Sequence, residues 1–179
     1  MKGIVFTEFL DMVEQKFGYS MVDTLLLTTD LPSEGIYTSV GTYKHTEMVN
    51  LVVNLSEKSN IPIPDLLKAF GSYLFNSFTK TYHHFMEKAP DAFSLLESIH
   101  HYIHVEVQKL YPDAELPHFD IEREGDKTLI MTYTSVRKMA DLAFGLIEGC
   151  TNYYKEKVVI SQIPLNEDGS ITKFVITKI

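Results

Sequence analysis

The chain has 179 residues, enough for one domain or a domain with a small appended lobe. Its 45% hydrophobic and 22% charged residues are the balance of an ordinary globular protein and exclude a disordered one. The net charge of −8 sets an acidic surface against phosphates and excludes nucleic acid as an expected partner.

A single cysteine, Cys150, excludes an internal disulfide and any multi-cysteine zinc or iron–sulfur site. It fits a reducing cytoplasm, and Cys150 is expected to be a small buried or half-buried residue rather than a redox switch. Glu8 and Asp11 interrupt the opening Met1–Phe6 stretch, so it does not read as a signal peptide. Gly3 is not at position two, as a myristoylation signal requires. No apolar run has the length of a bilayer span, so a cytoplasmic chain without membrane insertion is expected.

In chain order, apolar residues from Ile4 to Phe17 recur with nearly helical period, and Gly18 is a natural stop. A second helix fits Met21–Thr29, ended by the turn Leu31–Gly35, and a third fits Thr46–Ser59. Pro64 and Asp65 open a fourth through Leu66, Leu67, Phe70, Leu74 and Phe75. A short helix around Lys80–Met86 follows, then a long one from Pro90-Asp91 to about Leu110. After Pro117 the period changes to alternation. Phe119–Glu122 and Leu129–Tyr133 flank Glu124-Gly125-Asp126 as a hairpin. A helix over about Lys138–Tyr154 and two strands, Val158–Ile163 and Ile171–Ile179, complete the chain. The fold class is α+β: a helical N-terminal part, then a C-terminal part built on antiparallel strands with helices.

Histidine is the most suggestive residue type. Among seven, His100, His101 and His104 lie on one expected helix, and His100 and His104 share a face at a spacing able to reach one metal. The HExxH arrangement of zinc hydrolases is absent, and an amphipathic helix with surface histidines accounts for the same residues. The apolar stripe of Leu95, Leu96, Ile99, Ile103, Val107 and Leu110 puts His100 nearer its centre than His104, so periodicity alone leans towards His100. A histidine at the margin of an apolar stripe also meets the needs of an axial haem ligand.

Tyr133, Ser135 and Arg137 end a strand just before a helix. If the backbone stays extended they share one side, presenting a phenol, a hydroxyl and a guanidinium together. That trio suits a pair of carboxylates. Hydroxyls that cap the following helix are the alternative. Arg137 is one of only two arginines, with Arg123.

At these residues the chain resembles the haem–nitric oxide/oxygen binding (H-NOX) family, bacterial relatives of the haem domain of soluble guanylate cyclase. The resemblance spans the chain: Met1-Lys2-Gly3, Ala69-Phe70-Gly71, Ile103-His104-Val105, Lys109-Leu110-Tyr111-Pro112, the Tyr-x-Ser-x-Arg signature at Tyr133, Ser135 and Arg137, and Gly145-Leu146-Ile147-Glu148-Gly149. It implies one haem domain over residues 1–179, with a distal helical lobe at 1–60 and a proximal, C-terminal lobe at 61–179. Haem b would lie buried between them. His104 would be the iron ligand, Tyr133, Ser135 and Arg137 the propionate holders, and Pro117 the residue pressing on the porphyrin.

The oxygen-binding branch of the family has a tyrosine in the helix after the signature, and Leu142 stands there in this chain. Val5, Leu74, Phe78 and Leu146 match other distal positions, and none offers a hydrogen bond. The resemblance therefore implies a non-catalytic sensor that takes nitric oxide, and also CO, while excluding oxygen. It would regulate a separate histidine kinase or cyclic-di-GMP enzyme. Cys150 alone cannot supply the cysteine-rich zinc site of some relatives, so no structural zinc is expected. The competing expectations are an oxygen- or redox-responsive haem sensor of the same fold, a histidine-rich metal hydrolase, and a haem-free module with an apolar pocket.

Overall fold

The computed structural model describes residues 1–179. Helix α1, Gly3–Phe17, turns Phe6, Phe9, Met12 and Val13 inward on one face and stops at Gly18, whose φ of 87° requires a residue without a Cβ. Helices α2, Tyr19–Thr28, and α3, His45–Ser59, add Leu25, Met48, Leu51 and Leu55 to the same core. Helix α4, Ile63–Thr81, has Pro64 in its first turn, where the missing N–H costs nothing. Burying one such large apolar side chain contributes roughly 1.5–3 kcal/mol, so these faces decide the packing.

Helix α4 belongs to two cores. Leu66, Leu67, Phe70 and Leu74 lie in the N-terminal cluster, while Phe75 lies in a second cluster with the sheet. The sheet has four antiparallel strands in the order β1-β2-β4-β3, with β1 His118–Glu124, β2 Thr128–Thr134, β3 Val158–Pro164 and β4 Ile171–Lys178. Alternation sends Leu129, Met131 and Tyr133 of β2 inward. They meet Phe174 and Ile176 of β4, with Met131 opposite Phe174 and Leu129 opposite Ile176. Helix α8, Ala140–Tyr153, covers that inner face and crosses α4 where Gly71 and Gly145 touch. A Cβ on Gly145 would run into the Lys68 carbonyl, and one on Gly71 into the Leu142 carbonyl.

Two expectations need correction. Helix α4 continues through Thr81, so the short helix that follows, α5, is His83–Glu87 rather than 80–86. The long helix expected to reach Leu110 is not uniform. Helix α6, Ala92–Glu97, is capped by the Asp91 side chain, which accepts from Ser94 N at 2.7 Å. Residues Ile99–Ile103 then form a π turn, in which Ile103 N bonds Ser98 O and His104 N bonds Ile99 O, before α7, His104–Leu110. An extra residue per turn is invisible to a 3.6-residue pattern.

Candidate functional site

Between the two cores lies a cavity of about 640 Å³, and 26 of its 36 lining residues are hydrophobic. Volume and lining are those of a site for a sizeable, largely apolar ligand. One wall is built by Val5 of α1, Leu74 and Phe78 of α4, and Leu142 and Leu146 of α8. The close Gly71–Gly145 crossing sets the spacing of α4 and α8 and so the shape of that wall. No side chain among these five carries a hydrogen-bond donor.

His104 faces the cavity from the first residue of α7, beside Phe119 at 6.2 Å between ring centres. Burial, helped by the neighbouring His100 and His118, holds its pKa down at about 4, so the ring is neutral at pH 7. Neutral imidazole is the form that ligates a metal. His100 and His101 are both exposed and meet edge to face, 5.3 Å between ring centres, and neither lines the cavity. The lean towards His100 is overturned by the π turn, which adds a residue to the winding and shifts the phase of everything after it. No three His, Cys, Asp or Glu side chains gather as a metal-binding group, so the histidine cluster of a hydrolase does not form.

Tyr133, Ser135 and Arg137 all reach the cavity, but not by alternation along an extended strand. β2 ends at Thr134, the chain turns at Val136 and Arg137, and Lys138 takes a φ of 55° before α8 begins at Ala140. The hydroxyls do not cap α8, whose N-cap residue Met139 has no side-chain cap bond; they brace the turn that leads to it. Tyr133 Oη accepts from Met139 N at 3.1 Å, and Ser135 Oγ accepts from Arg137 N at 3.2 Å. The Arg137 fork donates through Nη1 to the Glu115 carbonyl at 2.8 Å and through Nη2 to the Glu115 carboxylate at 2.9 Å. The guanidinium is thus already oriented by a carboxylate at the rim, with further N–H donors in hand. Pro117 lines the cavity from the same loop as Glu115.

The arrangement fits a haem: a neutral histidine on one side, a donor-free apolar wall, and a guanidinium with two hydroxyls at a polar edge. Sequence reasoning left out Tyr43, Tyr82 and Tyr111, which also line the cavity. The Tyr43 hydroxyl accepts from Thr38 N at 2.9 Å, and its ring packs on Phe6 and Tyr37. Burial, and then the facing Tyr111, push the Tyr82 phenol up to about 12. The signal for Tyr82 was its place one helical turn after Phe78, as Phe78 is one turn after Leu74.

Comparison with known proteins gives the family. The family model described as Haem-NO-binding matches residues 2–162. An Fe(II) unliganded H-NOX protein from K. algicida is 42% identical, with a TM-score of 0.95, all of this chain covered and 97% of that one. An H-NOX from Shewanella woodyi in the Fe(II)CO state is 44% identical, with a TM-score of 0.85 and coverage of 100% and 95%. An H-NOX protein from S. oneidensis in the Fe(II)NO state is 31% identical, with a TM-score of 0.91 and coverage of 100% and 99%. A search among curated proteins found no match. The chain belongs to the Haem-NO-binding, or H-NOX, family of haem-binding gas-sensor domains, which are not themselves catalysts.

Proposed function

We propose that this domain is a ferrous haem b sensor that takes nitric oxide, and also CO, excludes oxygen, and regulates a separate signalling protein. The observation that carries the reading is the donor-free wall of Val5, Leu74, Phe78, Leu142 and Leu146 across the cavity that His104 faces. His104 is assigned as the iron ligand, Tyr133, Ser135 and Arg137 as the propionate holders, and Pro117 as the residue against the porphyrin. Haem, when bound, supplies an iron coordination position for a diatomic gas. Oxygen at such a position is polar and gains from a hydrogen-bond donor in a dry pocket. An ordinary hydrogen bond contributes about 1 kcal/mol, and a buried polar group left without one costs about 1–3 kcal/mol, so this wall works against oxygen. Nitric oxide needs no such donor.

His104 ties α7 to the cavity, while Arg137 ties the opposite edge to the C-terminal part. With His104 holding a haem iron, its release would free α7 to move about the π turn, and a partner that binds the two positions differently would read the change. A histidine kinase or a cyclic-di-GMP enzyme is the proposed partner. The net charge of −8 argues against nucleic acid. No helix is long and apolar enough to cross a membrane, and a cytoplasmic setting fits the lone, buried Cys150.

The test is the absorption spectrum of haem-loaded ferrous protein under nitrogen, in air and with nitric oxide. A five-coordinate, histidine-ligated spectrum that ignores air and shifts with nitric oxide is expected. His104→Ala should lose that spectrum. A stable oxygen complex would overturn the selectivity, and no Soret band at all would overturn the assignment. Tyr82 supports a second reading, an oxygen-responsive sensor, because its phenol is a donor on the cavity wall. In that case Tyr82→Phe would abolish an oxygen complex seen in the wild type.

A further inference from the structure

The loop Tyr111–Pro117 directly follows the His104 helix, and Lys2, Thr42 and Asp113, which also line the cavity, fasten it to the N-terminal core. Asp113 Oδ2 accepts from Thr42 Oγ1 at 2.6 Å, and Asp113 Oδ1 accepts from Lys2 Nζ at 3.2 Å. The same ammonium donates to Thr42 Oγ1 at 2.7 Å and lies over the Tyr111 ring, 5.0 Å from its centre. Lys2 therefore grips the loop twice, by charge and by cation–π contact. Its side chain is only 13% exposed, a state lysine seldom adopts without partners. Behind the clasp, Lys2 and Thr42 form an isolated antiparallel bridge, and Gly3 N bonds Gly41 O at 2.8 Å. Lys2 also precedes α1, whose Val5 lines the cavity.

Asp113 is 58% exposed, and ion pairs so open to solvent do little for stability. What it has is position. Helix α7 is seven residues long, and its N-terminal end adjoins the π turn while its C-terminal end leads into the clasp. Seven residues span ~10 Å, so a ~10° tilt about the π turn carries the far end through ~2 Å. Contacts of 2.6 to 3.2 Å do not survive such a displacement as hydrogen bonds unless the other side follows. The clasp must either break or pull.

We propose that the Lys2–Asp113–Thr42 clasp delivers movement of the His104 helix to the N-terminal segment, with Asp113 as its positioning residue. This rests on the nitric oxide reading above. The path is short: His104, α7, Asp113, then Lys2 and Thr42 and the start of α1.

The experiment is amide hydrogen exchange on the full ferrous, haem-loaded chain with and without nitric oxide, in wild type, Asp113→Asn and Lys2→Gln. In the wild type, nitric oxide should change exchange both at residues 99–112 and at residues 1–5 and 38–44. Each variant should keep the change at 99–112 and lose the change at 1–5 and 38–44. A purely structural pair would alter exchange in both ligation states alike and leave the nitric oxide difference in place. Either variant passing the full change to 1–5 and 38–44 overturns the proposal. No change at 99–112 in the wild type would remove the sensing reading, and the clasp's role with it.

Discussion

Tyr133 and Arg137 share one signature but answer to different neighbours. The Tyr133 hydroxyl accepts the Met139 N–H within the buried core, so Tyr133→Phe strands that donor and costs about 1–3 kcal/mol. The loss should appear as a lower urea midpoint of the haem-free protein. Arg137→Ala removes an ion pair to the largely exposed Glu115 carboxylate, worth about 0–1 kcal/mol, and one hydrogen bond to the Glu115 carbonyl, worth about 1 kcal/mol. That variant should lower the midpoint less than Tyr133→Phe and instead release haem faster to a scavenging apoprotein. Equal loss of haem-free stability in both would count against the division of roles. Cys150 gives a pH signature. Burial, with Glu156 and Asp91 nearby, raises its thiol pKa, whereas an unfolded cysteine ionises near ~8.5. Above that pH the unfolded chain sheds a proton that the folded chain keeps, so stability falls as pH rises and is untouched below it. Native protein should resist thiol alkylation at pH 8 and react only as it unfolds. The signature residues were legible because residue type announces chemistry. The choice between His100 and His104 was not, because it depends on winding.

That winding belongs to the element scale. Helices and strands followed from period and punctuation: Gly18 ends α1, Pro64 opens α4, and Gly125, with a φ of 64°, turns the β1–β2 hairpin. The π turn did not follow, since a stripe drawn at 3.6 residues per turn assumes the quantity that changes there. Deleting the exposed His101 should restore the α register with His104 N still on the Ile99 carbonyl, now four residues back, so His104 keeps its direction towards the cavity. The deletion variant is expected to keep histidine-ligated haem absorption and its circular dichroism, as should His101→Ala. A deletion that no longer binds haem through His104 would show that the extra residue does more than set the direction of the ligand. The α4–α8 crossing makes a second claim of this kind. Gly145→Ala drives a methyl into the Lys68 carbonyl, an overpacking expected to cost about 1–3 kcal/mol. Because Leu142 and Leu146 flank Gly145, the same variant should also alter the rate of CO rebinding after photolysis.

At the scale of the molecule, the sequence showed a helical part and a sheet part but not where one gives way to the other. A boundary at residue 60 assigns α4 to the C-terminal side, yet its first half is buried in the N-terminal core and Phe75 in the sheet core. A rigid helix shared by two cores couples their unfolding, because neither can lose its packing without exposing part of α4. Leu55→Ala in the first core and Ile176→Ala in the second each remove a side chain that is fully buried, at a cost of about 2–5 kcal/mol. Calorimetry on the haem-free protein should find one transition, moved down by either substitution. Two transitions, each answering to only one of them, would mean that α4 does not join the cores. Haem held in the proposed site between the cores would bind only the folded chain. Loading it should therefore raise that transition by an amount that grows with free haem concentration, as mass action requires. If Leu55→Ala and Ile176→Ala then weaken haem retention alike, both cores shape the cavity; a loss confined to one would place the binding energy on that side.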